Sequence, residues 1–188
     1  ELPEVTGVNA IANAFATAWA RDHELSVCTS FEQRLYHLRH LAPPPPPATP
    51  GQLRVATVDD LDALAPWAAE FQREVFDVDH VSDADSAYFR WKVERGEVWI
   101  WHHSHDEVRP MSMAAATAPV GGVARIQNVY TPSQHRGPGL ATACVAAVIE
   151  LLLHRGVTDL VLFAAINNPT PNALYQRLGF QAVSDSVE

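Results

Sequence analysis

Residues 123–165 confine the fold more tightly than any other stretch, because their apolar pattern changes character twice in a short span. Val123 to Tyr130 alternates as a strand does and stops at Thr131-Pro132, where proline removes a ladder donor. Residues 139–155 then form an almost unbroken apolar run of helical length. Gly156 closes it as a left-handed cap, with His154 and Arg155 at its negative end. Asp159 to Ala165 is continuously apolar, as in a parallel strand covered on both faces. Strand, helix and strand at this spacing predict a β–α–β crossover. A short helix over residues 169–178 follows, stopped by Gly179, and a new strand starts at Phe180.

The residues before the crossover predict antiparallel strands. Residues 53–56, 97–103 and 110–118 read as strands, and Gly121-Gly122 separates the last from Val123. Two helices lie among them. One, capped by Asp59 or Asp60, carries Leu61, Leu64 and Trp67; the other, over residues 83–95, buries Tyr88, Trp91 and Val93. Residues 52–188 therefore read as one α/β domain with a mixed sheet. Five prolines, Pro43 to Pro47, favour an extended polyproline conformation and read as a linker over residues 43–51. Before it, a helix with Ile11, Phe15, Ala18 and Trp19 at helical spacing and a strand over residues 26–38 make a poor independent domain.

Bulk properties narrow the function. A chain of 188 residues, 47% hydrophobic, can fill one core or one domain plus part of another. Its formal charge of −9, from 13 Lys+Arg against 22 Asp+Glu, argues against nucleic-acid or anionic-membrane partners, a local basic patch aside. Residues 141–153, broken by Glu150, fall short of the ~20 residues that span a bilayer. No secretory signal is visible, although an opening Glu1 in place of Met weakens that observation. Cys28 and Cys144 read as buried thiols, which suits a reducing cytoplasm.

The chemistry-bearing segment runs from Val129 to Ala141, between a strand and an apolar helix, where unpaired N–H groups and the helix dipole favour a phosphate. Gly137 and Gly139 would let such a ligand approach the backbone. Gly-x-Gly alone would favour an ordinary strand-to-helix turn. A P-loop lysine is absent, and Thr142 stands where a dinucleotide fingerprint needs a small residue. The set Gln134, Gly137 and Gly139 instead resembles the coenzyme A motif of the GNAT N-acetyltransferase family, Gln/Arg-x-x-Gly-x-Gly/Ala. Asn168, Asn172, Tyr175 and Gly179-Phe180 resemble that family's last helix and following strand.

The resemblance covers residues 53–188 and implies a GNAT-like fold with splayed central strands. Residues 1–42 resemble the tail of a degenerate GNAT-like half. It further implies acetyl-CoA as cosubstrate, with no metal, and a small-molecule or peptide amine as acceptor. Backbone groups of Val129, Tyr130 and Thr131 would hold the pantetheine amides and the acyl carbonyl. N–H groups through Gln134, His135, Arg136, Gly137, Gly139, Leu140 and Ala141 would hold the pyrophosphate. Pro138 departs from the motif at a variable position. Asn168 and Asn172 would hold the pantetheine arm, with a helix N-cap as the alternative for Asn168. Tyr175 would protonate the leaving thiolate, with plain packing against the sheet as its alternative.

The base remains open, because Gln127 and Asn128 stand where many relatives carry a carboxylate. His102, His103 and His105 read as solvent-exposed turn residues more than as a metal site. Trp99 and Trp101 read as core or substrate-wall residues. A non-catalytic acyl-CoA-binding module is the main competing reading, and a structural half that pairs with another such unit is a third.

Overall fold

The computed structural model describes residues 4–48, 50–76, 82–104, 106–137 and 139–188. Its strands are β1 (Gly7–Val8), β2 (Glu32–Leu38), β3 (Gly51–Val55), β4 (Val98–His103), β5 (Asp106–Ala116), β6 (Val123–Tyr130), β7 (Asp159–Ala165) and β8 (Gln181–Val187). The helices are α1 (Asn9–Asp22), α2 (Leu61–Phe76), α3 (Asp83–Glu94), α4 (Leu140–His154) and α5 (Pro169–Arg177). All eight strands join one mixed sheet in the order β1-β8-β2-β7-β6-β5-β4-β3. Among the described strands only β6 and β7 run parallel, joined through α4 as the crossover requires.

Two apolar cores flank the sheet. On one face α4 is buried nearly all round and packs Val145, Ile149 and Leu152 against Ala124, Ile126, Leu160 and Leu162. Each such side chain contributes about 1.5–3 kcal/mol on full burial. On the other face Leu61 and Leu64 of α2 and Phe89 and Val93 of α3 cover Val98, Ile100, Met113 and Ala115. A 3₁₀ turn, Val58–Asp60, leads into α2 and is itself capped by Thr57, in a box where the Asp60 carboxylate accepts from the Thr57 N–H at 2.8 Å and also takes Arg54 bidentately at 2.7 and 2.8 Å.

In α3 the buried side is Phe89, Lys92 and Val93, while Tyr88 and Trp91 stack on each other in solvent at 50% and 46% exposure. Lys92 takes a core position because its ammonium donates to Glu97 at 3.1 Å and to the Ala116 carbonyl at 3.0 Å. The apolar count of this helix therefore points to the wrong face. β7 also departs from the expected double coverage: Leu160, Leu162 and Ala164 are buried, but Phe163 on the opposite face is 37% exposed.

The first forty residues enter the same sheet. The regular strand starts at Glu32, six residues later than the pattern suggests, and β2 lies between β7 and β8, hydrogen-bonded to both. In α1 the sheet side is Ala12 and Ala20, whereas Ile11 and Phe15 face outward at 71% and 48% exposure. The proline segment is docked. Leu41, Pro44 and Pro47, spaced by the three-residue polyproline repeat, are half-buried, and the Ala42 N–H donates to the Leu178 carbonyl at 3.0 Å. Of the two free cysteines, Cys28 is exposed and only Cys144 is buried, where desolvation pushes its thiol up to about 12. No helix among the described residues is long and apolar enough to cross a membrane.

Candidate active site

β6 and β7 pair over Val123↔Asp159, Ala124↔Leu160 and Arg125↔Val161 and then part. The cause lies in β6. Against β5, Met113 faces Tyr130 and Ala115 faces Gln127, so three steps on β6 answer two on β5. Asn128 takes up the extra residue at φ +48°, a left-handed conformation that asparagine tolerates better than most side chains. This bulge bends β6 away from β7 and opens a cleft of about 710 Å³ between them. Ser112, fully buried, fixes the strand end by donating to the Tyr130 carbonyl at 3.2 Å and bonding the Thr131 hydroxyl at 2.8 Å.

One end of the cleft is the turn into α4. Gly137 and Gly139 have φ of +106° and +82°, and Gly139 is the helix N-cap with no side chain capping it. The Leu140, Ala141 and Thr142 N–H groups belong to the unpaired first turn, and these residues line the cleft. A side chain added at Gly137 would meet no atom within 4 Å, whereas one at Gly139 would come 3.8 Å from Pro47 of the docked proline segment. Pro138 lies outside the described residues. Gln134, in the exposed 3₁₀ turn Ser133–His135, does not line the cleft, while His135 and Arg136 do.

Arg136 carries the positive charge of this loop. Its Nε donates to the Thr131 carbonyl at 2.8 Å and its Nη2 to both Glu74 carboxylate oxygens at 2.8 and 2.7 Å. Tyr130 lies beneath the guanidinium, and its hydroxyl donates to Glu70 at 2.8 Å and Glu74 at 3.2 Å. Burial first, then those two carboxylates, holds the Tyr130 phenol well above its ordinary range. Glu70 and Glu74 are one helical turn apart on α2, and the strand pattern around Gln127 gives no sign of them. An i, i+4 carboxylate pair on the predicted helix is the signal that could have pointed there.

The other wall comes from β7 and α5. Tyr175 is 93% buried yet lines the cleft, and its hydroxyl bonds no other described residue. Burial alone raises its pKa above the ordinary tyrosine value. Its ring packs edge-on to Phe180 at 5.8 Å and near Tyr36 at 6.4 Å. Asn168 stands at the N-cap of α5 with no side-chain cap bond, and this exposed residue lines the cleft. Asn172 is already committed. It accepts from the Tyr36 hydroxyl at 2.7 Å and donates to the Ala165 carbonyl at 2.8 Å and to the Asn168 carbonyl, tying β2, β7 and α5 together. Val129 lines the cleft beside the bulge.

Among the described residues no group of three or more potential metal ligands comes together. His102, expected in solvent, is buried, and its ring bonds the His103 carbonyl at 2.9 Å; His105 lies outside the described residues. Trp99 and Trp101 pack into the α4-side core and do not line the cleft.

The sequence profile of the acetyltransferase (GNAT) family matches residues 61–180. Rat N-acetyltransferase family 8 member 2 is 31% identical over 88 residues, which span 46% of this chain and 39% of that protein. The chain thus spans about two fifths of the curated relatives it matches. A GCN5-related N-acetyltransferase from Sphaerobacter thermophilus superposes with a TM-score of 0.66 at 19% identity, over 94% of this chain and 55% of the other. A Mycobacterium tuberculosis protein solved in complex with CoA and NLQ gives a TM-score of 0.57 at 14% identity, over 71% and 73%. The profile begins at the first residue of α2 and ends just before β8, so it takes in the bulged strand, the glycine turn and the wall bearing Tyr175: this chain belongs to the GNAT acetyltransferase family.

Proposed function

We propose that this protein transfers an acetyl group from acetyl-CoA to a primary amine, a small molecule in preference to a peptide, by direct attack while both substrates are bound. The observation that carries this reading is the parting of β6 and β7 at Arg125 and Val161, which opens a cleft between the glycine turn and Tyr175. The glycine turn suits a pyrophosphate: open space stands over Gly137, and the first turn of α4 lacks a side-chain cap. Acetyl-CoA supplies the activated acyl group. Backbone groups around the Asn128 bulge are the candidates to hold the acyl carbonyl and steady charge developing on its oxygen.

Tyr175 then gives its proton to the departing sulfur. A phenol is protonated at neutral pH without help, and burial keeps this one so. Asn168 can hold the pantetheine arm, and Asn172 acts by positioning the end of β7. The amine must shed a proton, and the carboxylates nearest the bulged strand end are Glu70 and Glu74. One observation favours a non-catalytic acyl-CoA-binding module instead: Glu74 is already held by Arg136. Free-thiol release from acetyl-CoA across a panel of amines decides between the two. Turnover with any amine removes the binding-module reading; stabilisation by acetyl-CoA without thiol release removes the enzyme.

A further inference from the structure

A second set of residues lines the cleft without serving the roles above. Phe71 and Phe76 of α2, Phe31 just ahead of β2 and Phe163 of β7 come from three separate stretches of chain and all line it. The Phe31 and Phe76 rings lie 5.2 Å apart, and Phe71 meets Phe76 edge-on at 6.4 Å. The cluster sits where β7 ends, since Gln33, two residues after Phe31, pairs with Ala165. A core would cover such rings, yet Phe76 is 45% exposed and Phe163 37%.

Among the described lining residues from α2, α3 and the segment around Phe31, the ionisable side chains are Glu74, Asp85 and Tyr88. Arg136 already holds Glu74, and Arg125 of β6 lies over the Phe163 ring at 5.5 Å, so Asp85 is the carboxylate of this wall that no arginine holds among the described residues. Ring faces attract cations and bury apolar groups, and carboxylates draw in an ammonium. We infer that this wall binds the acceptor, and that the acceptor is a primary amine carried on an aromatic or similarly broad apolar group; the inference rests on the transfer reading above. Phe31 makes the first forty residues part of the acceptor site, and Phe76 is the principal specificity-determining side chain.

The test compares 2-phenylethylamine and tryptamine with ethanolamine and putrescine as acceptors. The aromatic amines should show kcat/KM at least about tenfold higher, the factor expected when one ring contact of about 1.4 kcal/mol is gained. Phe76→Ala should raise KM for 2-phenylethylamine about tenfold with kcat within a few fold, and so erase its advantage over ethanolamine. Phe76→Trp should restore the low KM. Equal or better use of the hydrophilic amines overturns the inference, as does an aromatic preference that survives Phe76→Ala. If no amine releases thiol, the transfer reading fails, and calorimetric titration of 2-phenylethylamine into the CoA-saturated protein reads the acceptor wall alone. Binding that weakens about tenfold in Phe76→Ala upholds the wall, and no binding to the unaltered protein overturns it.

Discussion

Replacing Tyr175 by phenylalanine separates chemistry from architecture unusually well here. The ring is 93% buried against Phe180 and Tyr36, so its packing carries structural weight, but the hydroxyl bonds no described residue. Tyr175→Phe therefore removes no internal hydrogen bond. Its unfolding free energy should stay within about 0.5 kcal/mol of the unaltered protein, where Tyr175→Ala should lose about 3–5 kcal/mol. Affinity for acetyl-CoA should fall by no more than one neutral hydrogen bond, about 0.5–1.5 kcal/mol. Turnover should fall about 10²- to 10⁴-fold, or about 2.7–5.4 kcal/mol of barrier. Urea unfolding, calorimetry with acetyl-CoA and the thiol-release rate read the three quantities separately. The raised pKa adds a sign: the acid form persists through neutrality, so the rate should not lose this proton below the ordinary tyrosine pKa of about 10. Full turnover by a folded Tyr175→Phe variant would refute the assignment and leave thiolate protonation to water.

Gly137→Ala should cost about 1–3 kcal/mol of stability, because φ of +106° strains any side chain, and should abolish the stabilisation that acetyl-CoA gives the parent, about 2.7 kcal/mol at a hundredfold excess over Kd. Thermal unfolding with and without acetyl-CoA reads both, and an unchanged ligand shift would remove this turn from the binding site. Lys92→Ala should destabilise by about 1–3 kcal/mol in urea, because Glu97 loses its ammonium and the Ala116 carbonyl its donor, while the Arg95 guanidinium at 2.8 Å still pairs with Glu97. The Arg54 guanidinium, helped by Thr57, holds the Asp60 carboxyl below its ordinary value. A depressed carboxyl stabilises the fold above its unfolded pKa and loses that contribution as pH falls through the folded one. Asp60→Asn should therefore be less stable than the parent at pH 7, with the gap closing below about pH 4; a gap independent of pH would refute the linkage.

The crossover was legible because its signals are local. A proline stops β6, glycines bound α4, and an apolar run of strand length makes β7. The bulge was not, since asparagine at 128 looks like any strand-end polar residue until register with β5 is known. Nor was the face of α3, where Lys92 belongs to the core only because Glu97 and the Ala116 carbonyl receive its protons. The place of β2 depends on partners more than a hundred residues away, which no local period encodes. Motif spacing points to Asn168, Asn172 and Tyr175 alike, but it does not name Tyr36 and the Ala165 carbonyl, the partners that Asn172 bonds across β2 and β7.

The position of β2 also dictates when, during synthesis, the site can exist. Both neighbours of β2 lie near the other end of the chain: Asp159–Ala165 on one side and Gln181–Val187 on the other. At about 5–20 residues per second, the ribosome delivers the first of them roughly 6–25 s after β2 has been made. Until then β2 has two open edges, Tyr36 has no Asn172 to hold, and Phe31 has no strand end to stand beside. A nascent chain that stops short of β8 would leave one edge of β2 unpaired, an invitation to pair with another molecule. Chaperone binding to ribosome-stalled chains should accordingly peak for lengths ending between β2 and β7 and decline once β8 has emerged.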